Sequence, residues 1–146
     1  MRIAKLTGLA LLDTKCARVD GSAIEPCDLF DSRGQFIHVK RKTRSATLSH
    51  LFAQGTVSAE CFISDAEFRK NLRKCLEEQG GRFYQAIPLD RPEPSRFGVI
   101  YAIITKRSKD WPLNLPFFSR LNLMNAAHHL ARLSFKVSLI RIEEAQ

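Results

Sequence analysis

Asp28, His38 and Lys40 are the residues in this chain whose types and spacing could do chemistry. They lie in the stretch 24–54, IEPCDLFDSRGQFIHVKRKTRSATLSHLFAQ, which ends on Gln54. A carboxylate can anchor a hard divalent cation such as Mg2+ through oxygen. A neighbouring lysine can offset the charge that develops on a phosphate under attack. Phosphodiester hydrolysis uses a bound metal to activate water and to stabilise that charge. The residues therefore point to metal-dependent action on DNA or RNA, with Asp28 as metal anchor, Lys40 as catalytic cation and Gln54 in support. His38 is a second candidate ligand and would favour Mn2+ over Mg2+. Each has a plainer reading beside it: an Asp28–Lys40 ion pair, a hydrogen-bonded structural histidine, and a solvent-facing glutamine.

Two strands must present these side chains. Residues 24–30 and 36–42 read as a hairpin joined by Asp31-Ser32-Arg33-Gly34, with Gly where positive φ is needed. Side chains alternate faces along a strand. If Phe30 pairs with Phe36, Asp28 sits opposite His38, with Lys40 one step beyond. Cys27, Leu29, Ile37 and Val39 then form an apolar face expected to pack on a helix. A slip of one residue would mix the two faces, so the register is well specified. Glu25 falls on the face away from Asp28.

The remaining pattern supplies the frame. Ser45 reads as the cap of a helix over about 46–60, with Leu48, Leu51, Phe52 and Ala59 inward and Thr47, His50, Gln54 and Ser58 as the polar stripe. A second helix is expected after a Ser64 cap, with Glu67 in capping-box position, ending at Gly80-Gly81. The proline-rich stretch 85–96 is a loop. FGVIYAIIT (97–105) is a near-continuous apolar run that suits a strand covered on both faces. A loop around Trp111, a helix over 117–133 and a strand over 135–142 follow. Phe135, Val137 and Leu139 point inward, and Ile140 and Ile142 are expected to be covered from the other side. Residues 3–13 fit a strand or a short helix. The order predicts one domain over 1–146 of the α/β or α+β class, a mixed β-sheet flanked by helices, with the site region at 20–60 and a helix–strand region at 97–146.

The chain of 146 residues carries a net charge of +8. Such a surface attracts phosphates. Lys40, Arg41, Lys42 and Arg44 follow the candidate site directly and are the expected nucleic-acid contacts. Arg69, Lys70, Arg73 and Lys74 form a second basic cluster, and Lys106, Arg107 and Lys109 a third. Trp111 and Phe117-Phe118 read as core or as a partner surface. Cys16, Cys27, Cys61 and Cys75 lack paired CxxC spacing and are expected as thiols in a reducing cytoplasm. The start MRIAKLTGLALL runs straight into Asp13 and Lys15, so no leader is expected, and no apolar run approaches a membrane span. His128 and His129 are adjacent and point apart on a helix, so no chemistry is assigned to them.

Pro26-Cys27-Asp28 and His38-Val39-Lys40, with Gln54 on the next helix, resemble the motif of the PD-(D/E)XK, or restriction-endonuclease-like, superfamily. That resemblance implies an Mg2+- or Mn2+-dependent nuclease-like core acting on DNA or RNA. His38 stands where an acid is expected, which implies as the alternative an inactive module that binds nucleic acid or a protein. Across most of the chain, IEPCDLF, FIHVKR, LSHLFAQG, VSAE, SDAEFR and LPFFSRLNL resemble the C-terminal part of a sporadically distributed bacterial family of unknown function. The resemblance implies a shortened or split version of a longer protein, or one domain of a larger system, with a context in phage defence or mobile elements; a split version would need a protein partner that supplies the N-terminal region.

Overall fold

The computed structural model describes residues 8–12, 18–19, 22–23, 25–43 and 45–144. The first described strand is β1 (Leu9–Leu11), followed by the short ribbon β2 (Arg18–Val19) and β3 (Ser22–Ala23). The hairpin comes next, β4 (Leu29–Asp31) and β5 (Gln35–Arg41). Then come α1 (Ser45–Ser64), α2 (Ala66–Glu78), β6 (Gly98–Thr105), α3 (Phe117–Arg132) and β7 (Lys136–Glu143). Among the described residues the main sheet has five strands in the order β1-β4-β5-β6-β7. The first three run antiparallel to their neighbours, and β5, β6 and β7 run parallel. This mixed sheet with three helices is an α+β fold.

The hairpin register is the expected one, with Phe30 opposite Phe36. Gly34 has φ +90°, and its N–H donates to the Asp31 carbonyl at 2.9 Å, closing the turn. The face that packs on helices is the other one, however. Phe30, Phe36 and His38 are buried beneath α1 together with Val99, Tyr101 and Ile103 of β6. Leu29, Ile37 and Val39 are only half-buried on the opposite face. Both parallel connections cross in the same sense and so put their helices on one face. The aromatic residues sit there: Phe36 meets Phe30, Phe62 and Phe97 at ring distances of 5.1, 4.9 and 6.0 Å. Ile140 and Ile142 are exposed, at 43% and 39%, so the far face is uncovered at β7.

Gly55 allows α1 to lie close on β6. A methyl group there would collide with the Tyr101 ring, whose hydroxyl donates to the Phe52 carbonyl at 2.9 Å. Ser58, expected on the polar stripe, is buried and donates to the Gly55 carbonyl. At the far end of α1, Ser64 donates back to Glu60, and Asp65 takes the capping role instead. Its carboxylate accepts the N–H groups of Glu67 and Phe68 at 2.9 and 3.2 Å. Asp65→Ala is expected to cost about 1 kcal/mol, the usual loss for such a cap, read as a lower denaturant midpoint with an unchanged slope. Ser134 ends α3 in the left-handed region at φ 71°. The Phe135 N–H reaches the Leu130 carbonyl and the Ser134 N–H reaches Ala131, a helix-closing pair of bonds that turns the chain into β7.

Candidate functional site

Asp28 stands just before β4, its backbone held on both sides. Its N–H donates to the Ile37 carbonyl at 2.9 Å, and its own carbonyl accepts the Leu12 N–H at 3.0 Å. Its Oδ2 accepts the Val39 N–H at 2.7 Å, so the side chain continues the β4–β5 ladder where the backbone leaves it. His38 is 3% exposed, and its ring lies 5.9 Å from that of Tyr101. Its Nε2 is enclosed and has no hydrogen-bond partner among the described residues. Burial lowers its pKa from 6.5 to about 4, although the Asp28 carboxylate nearby pulls the other way, so the ring is neutral at pH 7.

Lys40 lies on the same strand face, two residues on, and is exposed. It makes no ion pair with Asp28 among the described residues. Gln54 is half-buried. At about 100° per residue it sits on the flank of α1 turned away from Ser49, Ala53, Thr56 and Glu60, which line a cleft shared with α3. The structure thus joins Asp28 to His38 and Val39, sets Lys40 at the rim, and bonds Gln54 to none of them among the described residues. The donors gathered here are one carboxylate and one imidazole nitrogen. Among the described residues no group of three or more His, Cys, Asp or Glu side chains can hold a metal. A metal centre built wholly from these side chains does not fit.

The rim extends across the sheet. Lys40 pairs with Ile103, and Ile103 pairs with Arg141, so both cations lie on the helix-covered face either side of β6. One Arg141 nitrogen, Nη1, is enclosed without a hydrogen-bond partner among the described residues. The Lys42 N–H donates to the Ile104 carbonyl at 2.8 Å, and its ammonium reaches the Asn114 carbonyl. Lys106, Arg107 and Lys109 follow the end of β6 and are exposed. The first and third basic clusters therefore share the edge where β5 and β6 end. Arg41 forms an ion pair with Glu144, and Arg44 lies outside the described residues. Helices α1 and α3 both begin at this edge, α3 with no side chain capping its first turn, and helix N-termini favour anions.

The cluster on α2 has a different role. Arg69 is buried, and its guanidinium donates to the carbonyls of Phe62 and Ile63 at 2.8 and 2.9 Å, closing the end of α1. Arg73 donates to the Ile87 carbonyl at 2.7 Å and lies over the Tyr84 ring. Both cations hold the 83–96 connection to the helices and are not free for phosphates.

A known family model spans residues 1–143 of the chain. The chain belongs to DUF6119, a family of unknown function. No curated protein and no solved structure matches it. In this DUF6119 chain, among the described residues, no helix is long and apolar enough to cross a membrane.

Sequence reasoning missed two groupings that the folded DUF6119 chain reveals. Arg141 carries a usable signal, since it falls two residues beyond Leu139 in an alternating strand. Glu60 and His129 carry none. They are far apart in sequence, yet their side chains meet at 2.6 Å beside Ser49 and Asn122, which are joined at 2.7 Å. These residues line a cleft of about 520 Å³ between α1 and α3.

Proposed function

We propose that this domain binds nucleic acid along the edge where β5 and β6 end. The observation that carries the reading is the convergence there of two basic clusters, Lys40–Lys42 and Lys106–Lys109, that are far apart in sequence. A surface of this charge attracts a regular array of phosphates and releases their counterions. The enclosed Arg141 nitrogen that lacks an acceptor supports an anionic ligand at the same place. Open sheets with parallel strands also tend to take ligands at the carboxyl ends of those strands.

The test is fluorescence anisotropy with labelled DNA and RNA. The variant Lys40→Ala/Lys106→Ala/Arg107→Ala/Lys109→Ala is expected to bind roughly ten- to a hundredfold more weakly at low salt. Its log–log salt slope should be shallower by about 3, near the value for four lost phosphate contacts. Lys70→Ala/Lys74→Ala removes exposed charge from α2 and should change affinity by less than about twofold. Equal losses in the two variants would reduce the effect to net charge and sink the edge reading.

A second reading, metal-dependent phosphodiester cleavage, is favoured by one observation: the Asp28 carboxylate lies near the His38 ring, whose Nε2 has no partner among the described residues, with Lys40 at the rim. The element order of hairpin, helix and parallel strand supports a PD-(D/E)XK-like core for it. Mg2+ is commonly held by one or two carboxylates completed by substrate phosphates. Asp28 would be the anchor in such an arrangement. Cleavage of labelled strands with Mg2+ or Mn2+, lost in both Asp28→Ala and Lys40→Ala, is the result this reading requires. Binding without cleavage in either metal leaves a binding module.

A further inference from the structure

The helix α3 begins with two aromatic rings in solvent. Phe117 and Phe118 are 64% and 68% exposed, too open to serve as core. They meet edge to face at 5.4 Å, and the Arg120 guanidinium lies 5.9 Å from the centre of the Phe117 ring. The pair is therefore held as a unit and carries a cation at its side. The segment from Lys106 to Arg120 holds four cations and one acid, Asp110. Exposed rings with such a charge select a ligand that offers flat apolar faces and evenly spaced negative charge.

We propose that Phe117 and Phe118 form a stacking platform for the bases of a single-stranded nucleic acid, whose phosphates run over Lys106, Arg107 and Lys109. The proposal rests on the nucleic-acid reading of the basic edge and adds the strand class. A duplex hides its base faces within the stack and can use only the basic edge. A single strand offers both, and aromatic rings take any base because every base has a π-face. Arg120 contributes a guanidinium that can meet a phosphate while remaining over the ring.

The full chain is titrated with a labelled single strand of about 12 nucleotides and with a duplex of the same length. Phe117→Ala/Phe118→Ala is expected to weaken single-strand binding by about tenfold or more, with the salt slope unchanged. Duplex affinity should stay within about twofold, and Phe117→Tyr/Phe118→Tyr should retain single-strand affinity. Both positions are exposed, so the variants should fold, which a melting curve checks. Trp111, the single tryptophan of the chain, reports the event by fluorescence from the same segment. Equal loss for both strand classes, or none for the single strand, overturns the platform. So does capture of wild type by anionic vesicles that is abolished in the Ala variant while strand binding is untouched. If the basic-edge variant loses binding and the aromatic variant does not, the platform fails and the edge reading stands. If no nucleic acid binds wild type, both fail.

Discussion

Phe36→Ala is expected to destabilise the protein by about 3–5 kcal/mol, the usual range for emptying a large buried aromatic site. Phe36 is 4% exposed and is the ring that touches the other three of its cluster. It belongs to β5, Phe62 to α1, Phe30 to β4, and Phe97 directly precedes β6. Removing it loosens four parts of the fold at one point, and little can collapse into the gap from a strand paired on both sides. Melting should fall by on the order of 10 °C. A cycle of Phe36→Leu with Phe62→Leu should show a coupling of about 0.5–1.5 kcal/mol beyond lost area. Strict additivity in that cycle would mean the rings are neighbours without mutual preference. The loss also bears on function. Phe36 lies two residues before His38 and four before Lys40 on one strand face, so nucleic-acid binding by the variant should weaken even where it stays folded.

The second large effect is a loss of stability in mild acid, carried by His38. Its folded pKa is lowered from 6.5 to about 4, chiefly by burial. As pH falls from about 6.5 to 4, the unfolded chain takes up a proton at this ring that the folded chain refuses. Stability therefore declines through that window and levels off below it, by about 3 kcal/mol for a shift of this size. His38→Phe keeps the ring against Tyr101 and removes the titration. Urea unfolding of wild type and variant at pH 7, 5.5 and 4.5 should give curves that diverge as pH falls, the variant losing less. Parallel pH profiles would mean that His38 is not the group responsible. The variant should also be at least as stable as wild type at pH 7, because the enclosed Nε2 has no partner to lose.

Where local chemistry decided an element, the sequence was a good guide. Gly34 with Asp31 set the turn, the Phe30–Phe36 pair set the register, and FGVIYAIIT announced a buried strand. Where a choice depended on what lay across the fold, it was not. Alternation in β5 separated two faces but could not tell which would receive the helices, because crossover handedness and the partner rings of Phe36 decide that. Arg69 looked like surface charge, since nothing local shows that the carbonyls of Phe62 and Ile63 would need it. Asp28 was expected within a strand over 24–30 but stands just before β4, while Lys40 lies on β5 as expected. The Val39 N–H on the Asp28 carboxylate was invisible, for it depends on where the β4 backbone departs. Phe117 and Phe118 read more readily as core than as a partner surface, yet they are exposed, because helical spacing alone does not say what a helix faces.

The two rims of the sheet differ in a way that bears on self-association. At one rim β1 offers three residues, too short a template for another chain to copy. At the other, β7 runs for eight residues and, among the described residues, pairs only with β6. Lys136, Arg141 and Glu143 are distributed along it, and charges so placed discourage casual strand addition. The sheet therefore has one end at which it can lengthen, and any strand added there would extend the exposed apolar surface of Ile140 and Ile142. Neutralising Lys136 and Arg141 is expected to raise self-association through that end, read as concentration-dependent light scattering that wild type lacks.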